Sequence, residues 1–213
     1  PDINSSGAID GGNGIDALVL TNAVSGTSRA IVDLNKGELY LSTPGSPEVT
    51  SAANTRAINS IETVVGTSGD DTIVANGIGT GAVTLIGAGG DDYLAGGAGD
   101  DVISGGQGDD ILSGGEGSDT FIISVSDEDG NRDAGTDTIT HFDLKDKITF
   151  NGFEIIKSED GSLPGDVTVV KNATTGFYEV SVQKVSGDNT LSSLVIIEDL
   201  SNLSANETTA IQQ

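Results

Sequence analysis

Cysteine, methionine and tryptophan are absent from the 213 residues, and there is a single histidine. Without Cys there are no disulfides and no thiolate metal sites. With His141 alone, neither an H-E-x-x-H zinc helix nor a His-dependent catalytic triad can be assembled. Basic residues are also scarce. Nine Lys and Arg against 33 Asp and Glu leave a formal charge of −24, which repels nucleic acid and anionic membrane surfaces alike. No apolar run approaches the ~20 residues of a membrane-spanning helix. Pro1 has no initiator Met before it and no signal-like apolar stretch after it, so it is expected to be a processed end or the boundary of an excised piece.

An acidic chain poor in aromatics reads at first as disordered. Leu, Ile, Val and Phe nevertheless make up roughly a quarter of the residues, above the usual disorder threshold of about 20%. The charge therefore calls for neutralisation, and divalent cations are the obvious agent.

What is abundant is glycine in register with aspartate. Residues 87–122 read, nine at a time, GAGGDDYLA, GGAGDDVIS, GGQGDDILS and GGEGSDTFI. A further copy, GTSGDDTIV, lies at 66–74, and a lone GGNGIDALV at 11–19. Asp92, Asp101, Asp110 and Asp119 recur every nine residues, with Leu94, Ile103, Leu112 and Phe121 in step. This is the sequence signature of a calcium-binding parallel β-helix repeat. Each glycine-rich turn leads into a very short strand whose central side chain points inward. Two units complete a coil, so every second turn stacks on the same edge at about 4.8 Å. Asp92 is then expected above Asp110, and Asp101 above Asp119.

Two bare carboxylates about 5 Å apart repel by about 3 kcal/mol at an effective dielectric of 20. A stacked row without cations would oppose folding. Calcium accepts six to eight carboxylate and carbonyl oxygens in tolerant geometry, magnesium demands tighter order, and zinc prefers nitrogen and sulfur. The fifth-position residues Asp70, Asp91, Asp100 and Asp109 are read as solvated charge, with Ser118 in that place in the last copy. The glycine-rich turns lack the Lys-Ser/Thr of a phosphate loop. The carboxylates sit at turn spacing rather than as an isolated acid–base pair. No enzyme active site is expected.

The pattern resembles the repeats-in-toxin (RTX) proteins exported by type 1 secretion, and most closely the carboxy-terminal domain of serralysin-type proteases. DGGNGIDALVL at 10–20, INSIETVVGTSGDDTI at 58–73 and GTDTITHFDLKDKITFNGF at 135–153 follow that domain in order, so the resemblance covers roughly residues 9–155. It implies an all-β, right-handed parallel β-roll of calcium-binding nonapeptide repeats, flanked by N- and C-terminal antiparallel β segments. It also implies ligand sets. One ion would lie among Ala88, Gly90, Asp92, Gly105, Gln107 and Asp110; another among Gly97, Gly99, Asp101, Gly114, Glu116 and Asp119, with Glu116 lending its carbonyl. A third would join Thr67, Gly69 and Asp71 to Gly87, Gly89 and Asp92. Asp137 would cap the row below Asp110, with Gly106 and Gly108 completing that site. Ser60 and Glu62 would join the Asp16 turn around another ion, and Asp10 would hold a further one. The stretch 75–86 must serve as one enlarged half-coil. It departs from the family pattern, with three extra residues and no Asp, which puts the ion between it and Asp101 in question.

The expected organisation is an N-terminal β segment over 1–65 capping the roll, the roll itself over 66–122, and a C-terminal β region over 123–213. Strands are expected in ALVL, RAIVDL, GELYLS and AINSIETVV, and after residue 120 in FIIS, DTITHF, KITF, FEIIK, DVTVV, FYEVSVQKV and SLVIIEDL. An acidic loop is expected at 126–135 and a polar tail at 201–213. The functional expectation is a secreted, extracellular or surface protein of bacterial type, carrying about four to six Ca2+. It would serve as a structural unit of a surface layer, matrix, filament or adhesin. The alternative is the secretion and folding module of a larger enzyme. Partners are calcium and, through open coil ends, further copies of the chain, with no nucleic acid and no membrane insertion.

Overall fold

The structure is a computed structural model that describes residues 8–20, 29–42, 55–75, 81–124, 135–143, 145–150, 167–171, 178–186 and 189–197. For 55, 56, 150 and the residues from 167 onward only the backbone is described. The acidic loop (except Gly135), the FEIIK run and the polar tail lie outside the described residues.

All regular structure among the described residues is β. The strands are β1 (Ile9–Asp10), β2 (Ala17–Val19), β3 (Arg29–Asp33), β4 (Glu38–Ser42), β5 (Thr55–Asn59), β6 (Thr63–Val65), β7 (Thr72–Val74) and β8 (Thr84–Gly89). They continue as β9 (Tyr93–Gly97), β10 (Val102–Gln107), β11 (Ile111–Gly115), β12 (Thr120–Ile123), β13 (Thr136–Thr140), β14 (Lys147–Phe150), β15 (Val167–Lys171), β16 (Tyr178–Ser186) and β17 (Asn189–Ile197). The run 57–65 is therefore two strands, broken after Asn59 where Ser60 takes a positive φ of 53°.

The chain alternates between two sheets. The narrower, in the order β14-β12-β10-β8-β6-β2, is parallel throughout. The wider runs β1-β5-β4-β3-β7-β9-β11-β13-β17-β16-β15. Its centre, β3 to β13, is parallel, while β3–β4–β5 at one end and β15–β16–β17 at the other are antiparallel. β17 joins β13 in parallel, so the C-terminal strands extend the wide sheet beyond the last coil.

Registry follows the repeat. Ile103 pairs with Leu85 and Phe121 in the narrow sheet, and Leu112 pairs with Leu94 in the wide one, each 18 residues away. All five side chains are fully buried. They form facing columns because a strand of period two can turn only its central residue inward. The columns reach beyond 66–122 in both directions, taking in Leu18 and Val64, Val32 and Ile73, and Ile139 and Ile148. Of the stretch 75–86, Ala75 and residues 81–86 are described, and they take half-coil positions. Leu85 takes its place in the column, the Gly81 carbonyl lies against Gly99, and Val83 stands where the other turns have Asp.

Candidate metal centre

Because each turn delivers its last residue to the start of a strand, strand pairing lines those residues up along the two edges of the roll. On the edge leading from the narrow to the wide sheet they are Asp71, Asp92, Asp110 and Asp137. On the returning edge they are Asp16, Glu62, Val83, Asp101, Asp119 and Asp146. The backbone N–H of each turn donates to the carboxylate of the next. Asp71, Asp92 and Asp110 N–H reach Asp92, Asp110 and Asp137 Oδ1 at 2.7, 2.8 and 3.3 Å. On the other edge, Val83, Asp101 and Asp119 N–H reach Asp101, Asp119 and Asp146 Oδ1 at 2.8, 2.9 and 2.9 Å.

These hydrogen bonds use one oxygen of each carboxylate. The other, Oδ2 of Asp92, Asp101, Asp110 and Asp119, is buried and has no hydrogen-bond partner, and the same holds for Asp16 Oδ2. The residues themselves are 1–2% exposed for the four repeat aspartates. A buried, unpartnered carboxylate oxygen is strongly unfavourable unless a cation meets it. Among the described residues no three His, Cys, Asp or Glu side chains converge. The remaining oxygens must come from turn carbonyls, which suits calcium rather than zinc. Glycine at the first turn position makes the room: a Cβ on Gly105 would fall on Asp110 Oδ2, and one on Gly87 on Asp92 Oδ2.

The turn backbones are stacked as well. Ala88 lies against Gly106, the Gly90 carbonyl against Gly108, the Gly97 carbonyl against Gly115, and Gly69 against Gly90. Gly87 meets the Gly105 carbonyl, Gly89 lies beside Gln107, Gly114 faces Asp119, and Glu116 N–H donates to the Gly97 carbonyl at 2.7 Å. The structure thus brings the expected residues of each inter-turn gap together. It also joins Asp16, Ser60 and Glu62: Asp16 N–H donates to Glu62 Oε2 at 2.9 Å, and Gly11 sits between the Ser60 carbonyl and Asp16. Asp10 is not drawn in. It is exposed on β1, where its Oδ1 accepts Gly12 N–H at 3.2 Å, because β1 lies at the sheet edge beside Asn59 rather than at the end of a stacked turn.

The sequence reading falls short in two further places. Asp146 was missed because its turn carries no glycine repeat, and the signal was Asp-x-aliphatic-x in Asp146-Lys147-Ile148-Thr149. The fifth-position aspartates are exposed as expected, but they carry more than solvated charge. Asp91 N–H donates to Asp70 Oδ1 at 3.1 Å, Asp109 N–H to Asp91 Oδ1 at 2.9 Å, Ser118 N–H to Asp100 Oδ1 at 2.9 Å, and Thr136 N–H to Asp109 Oδ1 at 2.7 Å. An outer ladder of side chain–backbone bonds parallels each inner column. His141 is exposed just after β13, with Nδ1 3.3 Å from Ser113 Oγ.

The sequence profile of the RTX calcium-binding nonapeptide repeat matches residues 58–77 and 79–121. Residues 58–77 and 79–121 carry RTX calcium-binding repeats. The break between the two matched stretches, at residue 78, falls inside 75–86. Among solved structures, the chain is similar to the AlgE6R3 subunit of a mannuronan C5-epimerase from Azotobacter vinelandii, with 29% identity over 67% of this chain and 79% of that one, at a TM-score of 0.48. It is also similar to the extracellular lipase LipA of Serratia marcescens, with 19% identity and a TM-score of 0.42. That match covers 96% of this chain but spans only 33% of the lipase. No match emerges from the curated proteins.

Without calcium in the roll, burial holds the Asp92 carboxyl at about 8 and Asp101 at about 6, against 3.8 for an ordinary Asp. Burial likewise raises Asp71, Asp110, Asp119, Asp137 and Asp146. The folded metal-free chain therefore holds protons that the unfolded chain has already released. That stability is present in acid and lost as pH rises through the folded values. Calcium needs the ionised carboxylates, so its affinity runs the other way. In chelator, acidification from about pH 8 to about pH 5 should restore β-sheet circular dichroism, and at limiting calcium the same change should raise the calcium midpoint. A midpoint that does not rise in acid would exclude the buried carboxylates as ligands.

Proposed function

We propose that this chain is a secreted scaffold that folds on meeting extracellular calcium and serves as a structural unit of a surface layer, matrix, filament or adhesin. The observation that carries this reading is the set of buried carboxylate oxygens without partners along both edges of the roll. Ions in the gaps Asp92/Asp110, Asp110/Asp137, Asp101/Asp119 and Asp119/Asp146, with the carbonyls of the flanking turns, would neutralise them. The Asp16/Ser60/Glu62 cluster would add another, for about four to six ions per chain. Extracellular calcium sites commonly bind at about 10⁻⁴ to 10⁻³ M. At cytosolic calcium the columns stay empty and the chain stays exportable; outside the cell they load and it folds. Self-association of the folded chain belongs to this reading.

A second reading, the secretion and folding module of a larger type 1-secreted enzyme, is favoured by the sequence resemblance to the serralysin carboxy-terminal domain. That resemblance runs over β1 to β14, the roll itself. The intact mass of the native secreted product separates the two readings. Native mass spectrometry tests both: about four to six calcium ions per chain are expected, and none or one would sink them.

A further inference from the structure

The two edge columns are not uniform, and they lapse at the same level of the roll. On the returning edge, Val83 occupies the Asp position. It is 3% exposed and packs into the apolar core, and its N–H and carbonyl keep the ladder intact by bonding to Asp101 Oδ1 at 2.8 Å and Val102 N–H at 2.9 Å. On the opposite edge, Asp71 differs from the aspartates that follow it. Its Oδ2 accepts the Thr67 N–H, and its Oδ1 accepts the Thr67 hydroxyl at 2.9 Å and the Ala30 N–H at 2.6 Å. Thr67 stands at the second turn position, where the other turns have Gly12, Ala88, Gly97, Gly106 and Gly115, and it is the one hydroxyl among them. It is itself buried, and its Oγ1 also accepts the Gly69 N–H at 3.2 Å. Asp71 thus finds within the protein the partners that Asp92, Asp101, Asp110 and Asp119 lack.

The core changes at this level too. Across 87–119 the inward aliphatic side chains are Leu94, Ile103 and Leu112, one to a half-coil. Below them, the antiparallel strands β3 to β5 add Val32, Leu39 and Ile58 from outside the repeat, all at most 2% exposed, to Val64, Ile73 and Leu85 within the same continuous core that holds Leu94, Ile103 and Leu112. Apolar burial of this density needs no cation, at about 1.5–3 kcal/mol for each such side chain.

We infer that the N-terminal coil, β3 to β7 with the Val83–Ile86 half-turn, closes without calcium, β2 and the ion of the Asp16/Ser60/Glu62 cluster joining it afterwards, and forms a standing template on which the coils from Asp92 onward stack as calcium arrives. The inference rests on the calcium-coupled reading of the later coils. Its consequence is directional loading. The edge of β7 is presented in register to β9, and the first ions to order the chain are those nearest the template. Without a template, each coil would have to nucleate on its own, which is costly for repeats whose stability lies in contacts with neighbours.

Hydrogen–deuterium exchange of the full chain, in chelator and in millimolar calcium, tests the inference. Peptides within 29–42 and 55–75 are expected to stay protected in both conditions, and those within 87–123 and 135–150 only with calcium. Loss of protection everywhere in chelator would overturn the template and leave calcium-coupled folding standing. Exposure of 29–75 in both conditions would also overturn it. Protection everywhere in chelator would remove the calcium-coupled reading, and the inference with it. Thr67→Gly should lower the protection of residues 72–75 in chelator by about tenfold and leave it unchanged in calcium, with Thr67→Ser restoring it. No change in Thr67→Gly would remove Thr67 from the template.

Discussion

In chelator at neutral pH the full chain should lose most of its β-sheet circular dichroism, and millimolar calcium should restore it where magnesium does so poorly. The expected size of the effect follows from the columns. Each inter-turn gap from Asp92 to Asp146 brings two carboxylates to within about one strand spacing of each other, and a pair kept ionised at about 5 Å costs about 3 kcal/mol without a cation. The aliphatic residues facing them, one to a half-coil, contribute about 1.5–3 kcal/mol each and do no more than offset that repulsion. Nothing is then left to meet the entropy lost on ordering the backbone. The metal-free coils are therefore unstable, and the ion supplies the difference. Magnesium fails because a tolerant ring of turn carbonyls does not meet its octahedral demand. A spectrum unchanged by chelator would refute the coupling.

The second large effect is positional. Asp92→Ala removes an oxygen pair from the Asp92/Asp110 gap and leaves the buried Asp71 N–H without its acceptor, worth about 1–3 kcal/mol by itself. The calcium midpoint should rise severalfold or more. Asp92→Asn separates the two contributions: it retains an acceptor for Asp71 N–H while discarding the charge, so its calcium midpoint should rise above wild type but fall short of the Ala variant's. Asp91→Ala removes an exposed charge and one exposed hydrogen bond to Asp109 N–H, for which about 0.5–1.5 kcal/mol is the ordinary range, and its midpoint should move little. Calcium titrations followed by circular dichroism compare the three. Equal effects at positions 91 and 92 would place the inner column one residue away from where the hydrogen bonds put it.

The nonapeptide period alone determined the architecture of the middle of the chain. Glycine spacing and a single inward aliphatic per unit admit one coil geometry, and that geometry stacks Asp92 on Asp110 and Asp101 on Asp119. Where the period lapses, the tertiary structure decided. Asp146 joins the returning column because Ile148 pairs beneath Phe121, although no glycine precedes it to announce a turn. Asp10 is left out although it abuts a consensus turn, because its own strand lies at the rim of the wide sheet. Val83 is legible as a missing carboxylate, but its role as an apolar member of the core depends on the register that seats Leu85 between Val64 and Ile103. The difference between Asp71 and Asp92, two aspartates in identical D-D-x-aliphatic contexts, lies in the second residue of the turn and in a strand forty residues upstream. A repeat encodes its own stacking because every contact it needs is one period away. Which carboxylates must find a cation depends on contacts at other separations, and only the folded chain brings those together.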